Sequence, residues 1–266
     1  MSFKQIGFIG CGNMGGALAR ACGKKTKALL LADHDMKKAM DLSGALDVGC
    51  SDNATIAQCC DLIFLAVKPQ VMAYVLGEIA PVLAARKDRF VLLTMAAGIP
   101  ISAIRRMAGG EYPVIRIMPN TPVSVGEGMV LWCGEGVDTQ EKADFLALLS
   151  EAGQLDELNE AFIDAGSAVS GCGPAFVYSF IESLADGGVA CGLPRDKAQR
   201  YAAQTLIGAA KLVLESGSHP GALKDAVCSP GGSTIQGVRA LEEGGFRGTV
   251  MDAVIAAWEK TVSLGK

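Results

Sequence analysis

The first 158 or so residues alternate short, continuous apolar runs with helix-like patterns. The runs that have the length of buried strands cover residues 6–9, 29–32, 62–66, 90–94 and 114–117. Helical patterns between them include residues 14–21, 71–85 and 140–149. Strands that are apolar on both faces need cover on both faces, and the crossover helices that join parallel strands supply it. The pattern therefore predicts an α/β domain built on a parallel sheet, over residues 1–159.

Residues 160–266 read as helices interrupted by Gly and Pro, with almost no strand signal. In the helix expected over 175–191, polar side chains form only a narrow stripe. The last helix carries a second apolar stripe, made by Val250, Met251, Val254, Ile255, Trp258 and Val262. So much apolar helix surface needs a partner. We expect an all-α dimerisation domain and a homodimer, with packing of these helices onto the α/β domain as the alternative.

Composition excludes several classes of protein. The net charge is −4 with a pI of about 5.3, so no basic surface is expected to attract nucleic acid. The nine cysteines are scattered without a C-x-x-C pair, which indicates reduced thiols and no metal site. The chain shows no basic-then-apolar leader and no apolar stretch of roughly 18 residues. We expect a cytoplasmic protein without membrane contact.

A glycine fingerprint follows the first strand. Gly10, Cys11, Gly12, Asn13, Met14 and Gly15 match G-x-G-x-x-G where a helix begins. In this pattern the first Gly permits a tight turn, the second admits a pyrophosphate close to the backbone, and the third lets the helix pack against the strand. The helix N-terminus adds free N–H groups and partial positive charge. The context predicts a Rossmann-type dinucleotide site, with glycines that serve only close packing as the alternative.

Asp33 stands at the carboxyl end of the second predicted strand, directly after residue 32. A carboxylate there can accept hydrogen bonds from the adenosine ribose hydroxyls and repels a 2′-phosphate. This favours NADH over NADPH. Lys37 and Lys38 could reach a phosphate, although a solvated helix face is their simpler interpretation.

Ligands of open α/β sheets bind beyond the carboxyl ends of the strands. Three later segments follow predicted strands in this way: Ala66, Val67, Lys68 and Pro69; Met95, Ala96 and Ala97; and residues 118–122. The small side chains at 96–98 would leave room for a nicotinamide ring. Each segment is equally compatible with ordinary turn chemistry.

The helical half offers few candidate bases, since His219 lies in a turn and its lysines sit among charged neighbours. It does offer Ser229, Gly231, Gly232, Ser233 and Thr234 at the start of a helical pattern. Such a segment can cradle a carboxylate with N–H and hydroxyl groups. The alternative is a Pro-Gly turn followed by a Ser or Thr helix cap. An anion cradle without a strong base suggests hydride transfer to an activated electrophile, such as a protonated cyclic imine.

The sequence resembles the pyrroline-5-carboxylate reductases over essentially its whole length. The resemblance rests on FIGCGNM (8–14), AVKPQ (66–70), AAG (96–98), RIMPNTP (116–122), AVSGCGPA (168–175) and SPGGST (229–234). It implies reduction of 1-pyrroline-5-carboxylate to L-proline with NADH or NADPH, by a Rossmann domain followed by a helical dimerisation domain. It also implies a dimer that can assemble into a pentamer of dimers.

The same resemblance implies residue roles. The 229–234 loop would hold the substrate carboxylate, with Thr234 near the ring nitrogen as the catalytic residue. Asn53, Lys68, Pro69, Ala96 and Ala97 would line the cofactor site. Four positions depart from the family pattern: Cys172 stands where Ser is usual, Cys228 where Thr is frequent, Ser233 where Thr or Ala is common, and Asp33 where many members are neutral or basic.

Two rival functions remain at this point. A β-hydroxyacid dehydrogenase shares the two-domain plan, but the helix after Pro174 carries no Lys before Lys197, which argues against that chemistry. A module that binds the cofactor without turnover is the other rival.

Overall fold

The computed structural model describes residues 3–264. Within these residues one eight-stranded sheet has the order β3-β2-β1-β4-β5-β6-β7-β8. The strands are β1 (Ile6–Ile9), β2 (Leu29–Ala32), β3 (Gly49–Cys50), β4 (Leu62–Leu65), β5 (Val91–Thr94), β6 (Val114–Met118), β7 (Gly128–Glu135) and β8 (Gly153–Glu157). The five strands predicted from apolar runs are present, with ends that differ by at most one residue. Strands β3, β7 and β8 were not predicted.

The sheet is parallel except between β6 and β7, which are antiparallel. The short connection between them contains a 3-10 turn, Thr121–Val125. A parallel crossover needs a dozen or more residues, so this connection can only return the chain in the opposite direction. The prediction of a parallel sheet is confirmed for the first six strands, and the antiparallel pair is an addition to it.

Helices α1 (Asn13–Gly23), α2 (Met36–Leu46), α3 (Asn53–Cys59), α4 (Pro69–Ala85), α5 (Ile101–Ala108), α6 (Thr139–Leu148) and α7 (Glu160–Ser170) accompany the sheet. Alternate strand residues point to opposite faces, and each face has its own core. Phe8 and Phe64 stack with ring centroids 4.1 Å apart in one core. Ile9 and Leu65 belong to the other. Burial of both faces explains why these strands read as continuous apolar runs.

The remaining elements are helical: α8 (Gly173–Ala190), α9 (Arg195–Ser216), α10 (Pro220–Ala226), α11 (Ser233–Glu243) and α12 (Phe246–Leu264). Contacts divide the chain into two compact units. The sheet unit runs to Cys172 and includes the chain from Ala257 onward, and the helical unit spans Gly173–Ala256. Helix α7 belongs to the sheet unit, where it packs against β7.

The helical unit buries little apolar surface of its own. Its fully buried hydrophobic side chains among the described residues are Ala185, Ala198 and Ala202. Larger apolar side chains of the predicted stripe are exposed in the single chain, including Met251 (60%) and Ile255 (50%). Over residues 3–264, no helix is long and apolar enough to cross a bilayer.

Candidate functional site

The glycine loop joins β1 to α1 and packs against the end of β4. Gly10 has a φ of +106°, a region that favours glycine, and a Cβ there would lie 2.4 Å from the carbonyl oxygen of Ala66. A Cβ on Gly15 would lie 2.3 Å from the carbonyl oxygen of Gly10 and 2.8 Å from the Cβ of Ala66. Both glycines are therefore required for the close approach of loop, helix and strand.

Gly12 differs from its two neighbours in the fingerprint. An added Cβ would meet no heavy atom within 4 Å, so packing within the chain does not explain a glycine here. Gly12 is the N-cap of α1, and no side chain caps that helix. The first N–H groups of a helix have no intrahelical partner and attract anions. The open space over Gly12 and the uncapped helix end fit a dinucleotide pyrophosphate.

Asp33 follows β2 and faces the glycine loop, with its side chain only 7% exposed. Its Oδ2 accepts a hydrogen bond from the Cys11 amide at 2.7 Å, and its Oδ1 accepts one from the Asp35 amide at 2.9 Å. The Nδ1 of His34 also lies 2.9 Å from Oδ1. The carboxylate thus already accepts hydrogen bonds from the chain on both oxygens.

Cys11, the variable residue between the first two glycines, holds its thiol in a partly buried position. Its Sγ lies 3.5 Å from the carbonyl oxygen of Ala32. Burial first, and then the negative charge of Asp33, raise the pKa of the Cys11 thiol to about 12. Cys11 therefore stays a neutral thiol at physiological pH and contributes packing and backbone rather than a nucleophile.

The other predicted cofactor residues follow neighbouring strands of the same sheet edge. Lys68 is the exposed N-cap of α4, and Pro69 is the first residue of that helix after β4. After β5, the amide of the buried Ala96 donates to the hydroxyl of Thr94 at 3.3 Å. Val67 and Ala97 are partly buried against one core and Met95 against the other. The order of the sheet reverses beside β1, at the crevice where dinucleotides bind in such folds.

Asn53 begins α3, after β3, at the same edge. Its Nδ2 donates to Oε2 of Glu78 on α4 at 3.1 Å. The structure thus brings the predicted cofactor residues together around the carboxyl ends of β1 to β5.

Two polar residues of the 116–122 segment hold α7 in place, a role that sequence reasoning missed. Arg116, 2% exposed, lies 3.2 Å from Oε1 of Glu160 and 2.6 Å from Oδ1 of Asp164. Asn120 donates to the carbonyl oxygen of Ser170 at 2.9 Å and accepts from the Met129 amide at 2.9 Å. The available signal was an arginine within an otherwise apolar strand, since a buried charge needs partners.

The predicted substrate loop belongs to the helical unit. The carbonyl oxygen of Ser229 accepts the Gly232 amide at 3.0 Å, and Gly231 has a φ of +70°. Gly232 is the N-cap of α11, and no side chain caps the helix. The Pro-Gly turn of the alternative interpretation is therefore present, whereas its Ser or Thr cap is not. Ser233 and Thr234 form the exposed first turn of α11.

Fold and site together define a dinucleotide-binding oxidoreductase of the Rossmann class. Residues 5–97 match the family described as "NADP oxidoreductase coenzyme F420-dependent", and residues 160–264 match "Pyrroline-5-carboxylate reductase dimerisation". The chain is 42% identical to a pyrroline-5-carboxylate reductase of Escherichia coli over 99% of both chains, and 40% identical to one of Pisum sativum over 97% of this chain and 95% of that one. A solved pyrroline carboxylate reductase of Plasmodium falciparum with NADP bound covers 98% of both chains at 35% identity, with a TM-score of 0.88. The chain belongs to the pyrroline-5-carboxylate reductase family.

Proposed function

We propose that this protein reduces 1-pyrroline-5-carboxylate to L-proline with NADH or NADPH as the hydride donor. The observation that carries the proposal is the full-length match to relatives of that name, 42% identical in the case of E. coli. The glycine loop supports the proposal, since it leaves open space over Gly12 at an uncapped helix N-terminus.

On the nucleotide side, the N–H groups at the start of α1 bind the pyrophosphate. Gly10, Cys11, Gly12, Asn13, Met14 and Gly15 form this cradle. Asp33 and Asn53 border the adenosine end, and the remaining residues line the path toward the nicotinamide: Ala66, Val67, Lys68, Pro69, Met95, Ala96 and Ala97. The small side chains of Ala96 and Ala97 leave room for a flat ring.

On the substrate side, the loop of Ser229, Gly231, Gly232, Ser233 and Thr234 binds the carboxylate through N–H and hydroxyl groups. The Thr234 hydroxyl lies near the ring nitrogen and orients the C=N bond. When bound, the reduced nicotinamide supplies a hydride to the imine carbon. The C=N bond becomes C–N, and the nitrogen keeps the proton it carried as an iminium. No strong protein base is needed, in agreement with the few candidates in the helical half.

We further propose that residues 160–266 form a substrate-binding and dimerisation domain, that the protein is a homodimer able to assemble as a pentamer of dimers, and that it works in the cytoplasm. Exposed apolar side chains on α12 support the dimer, because an apolar stripe of this kind is unfavourable in water. The homodimer also agrees with the match of 160–264 to a dimerisation family.

Purified protein mixed with 1-pyrroline-5-carboxylate and NADH or NADPH tests the proposal. We expect loss of the reduced-nicotinamide absorbance and an equal amount of L-proline by mass spectrometry. Dinucleotide binding without proline formation would support the cofactor-binding module instead. Oxidation of a β-hydroxyacid with no activity on the imine would support the dehydrogenase.

A further inference from the structure

The carboxylate of Asp33 is directed into the chain rather than toward solvent. Both of its oxygens accept backbone N–H groups, one from Cys11 and one from Asp35. With 7% of the side chain exposed, Asp33 has little surface on which to meet a ligand. Hydrogen bonds to an ionised acceptor are short and strong, so the bond to Cys11 restrains the loop firmly.

Cys11 lies between Gly10, whose φ is positive, and Gly12, the N-cap of α1. Fixing the Cys11 amide fixes the peptide plane that joins Gly10 to Cys11, directly before the N-cap Gly12, and so restrains the chain that enters α1. Glycines have unusual backbone freedom, so a loop containing two of them depends on such a restraint. The carboxylate is the partner that the structure provides for this amide.

We propose that Asp33 is a positioning residue for the glycine loop, which supports NADH and NADPH alike, and that it does not discriminate between them. The proposal rests on the nucleotide site of the proposed function. It differs from the prediction made from sequence, in which Asp33 faces the ribose and favours NADH.

The charges around Asp33 agree with this role. Beside it lie the 91% exposed side chain of His34 and, at the start of α2, Lys37 and Lys38. Asp35 accepts the Lys37 amide at 3.2 Å, and its carboxylate lies 3.7 Å from Nζ of Lys38. The side chains of His34, Lys37 and Lys38 can donate hydrogen bonds to a 2′-phosphate. The carboxylates of Asp33 and Asp35, in contrast, already accept hydrogen bonds from the chain.

Asp33→Asn tests the proposal, with Asp35→Asn as the matched control. Both changes remove one negative charge, but the carboxamide that Asp33→Asn introduces turns an N–H donor toward the Cys11 or the Asp35 amide. Fluorescence titration should show NADH and NADPH each binding about tenfold or more weakly to Asp33→Asn, by the same factor, and unchanged to Asp35→Asn. In the Asp35→Asn control, kcat and the KM for the imine should match wild type. Tighter NADPH with weaker NADH in Asp33→Asn would overturn the proposal.

Amide hydrogen exchange without dinucleotide provides a second readout. The Cys11 amide should exchange faster in Asp33→Asn than in wild type or Asp35→Asn. If Asp33 served only to bind the ribose, this difference would not arise, because no dinucleotide is present. Equal exchange at Cys11 in the three proteins would overturn the positioning role. If Asp33→Asn does not fold, Asp33→Ser, whose shorter side chain cannot accept from both amides and carries no NH2 donor, is used for the same measurements. A wild-type protein that binds neither dinucleotide would overturn the proposed function, and exchange at Cys11 would still decide whether Asp33 fixes the loop.

Discussion

The sheet unit and the helical unit differ in how they bury apolar surface. In the sheet unit, most residues of the first six strands are almost fully buried, in two cores that flank one sheet. In the helical unit, the described hydrophobic residues that are fully buried are three alanines, while Tyr201, Ile207 and Met251 are at least half exposed. One unit has a complete core within a single chain, and the other does not.

The contrast separates two parts of the proposed activity. The nucleotide cradle lies on a unit whose geometry is set by its own core. The substrate loop precedes a helix of a unit whose apolar faces are suited to a second copy of the chain. Changes in the nucleotide cradle should therefore act on dinucleotide binding and leave assembly intact, and changes on the helical stripe should act first on assembly.

The largest effect is expected at Gly12. Gly12→Val should abolish binding of NADH and NADPH without loss of fold, because the added side chain starts from a Cβ with no heavy atom within 4 Å and fills the open space over the helix N-terminus. Gly44→Val, on α2, is the control, since a Cβ at Gly44 also meets nothing within 4 Å. Fluorescence titration with a thermal-melt check measures both. Normal dinucleotide binding by Gly12→Val would place the pyrophosphate elsewhere.

Two methionines, one in each unit, have the same exposed fraction of 60% and so give a matched comparison of the two units. Met251→Glu on α12 should weaken the dimer about a hundredfold or more, because it places an unpaired charge in an apolar interface. Met40→Glu on α2 should leave it intact. Sedimentation across a range of concentrations measures both dimers. Equal dimer stability in the two variants would remove α12 from the interface.

A smaller effect is expected at Thr234. Thr234→Ala should lower kcat/KM for the imine by about tenfold or more, as expected for loss of a hydrogen bond to a charged group. Affinity for NADH should not change, because the nucleotide cradle lies in the sheet unit. Thr139→Ala, at the exposed start of α6, serves as the control. An unchanged kcat/KM would exclude Thr234 from the substrate site.

The smallest effect concerns Cys11, whose modification we expect to be slow. A thiol reacts as its thiolate, and the pKa of Cys11 is raised to about 12. Its alkylation rate should therefore keep rising by about tenfold per pH unit between pH 8 and pH 11, as its thiolate fraction does. Peptide mass spectrometry can follow it against the exposed Cys59. A rate that levels off near pH 9 would contradict this buried environment.

How well a strand can be predicted from the sequence depends on how much of it is buried. Strands buried on both faces, such as β4, appear as unbroken apolar runs and were predicted within one residue. Strand β3 has only two residues, and β8 is a largely polar edge strand, so neither leaves a hydrophobic pattern. Strand β7 is long and largely buried, but it runs antiparallel to β6 and follows it without a crossover helix. The alternation of strands and helices that predicts the other strands therefore does not predict β7.

For the site, the sequence predicts the loops but not the directions of their side chains. That a Cβ at Gly10 or Gly15 would collide with Ala66 follows from a motif whose geometry is general. That Asp33 turns toward the Cys11 amide depends on which backbone N–H groups lack partners in the folded loop, which composition and spacing do not specify. For the same reason, the hydrogen bonds of Asn120 to two separate elements were not foreseen.

The most direct test of the two-part account is a crystal structure of the protein with NADH and a proline analogue. We predict a pyrophosphate bound to the N–H groups of Asn13 and Met14, and the analogue's carboxylate bound to the amides and hydroxyls of residues 229–234. A carboxylate held by other residues, with the 229–234 loop free of ligand, would contradict the account.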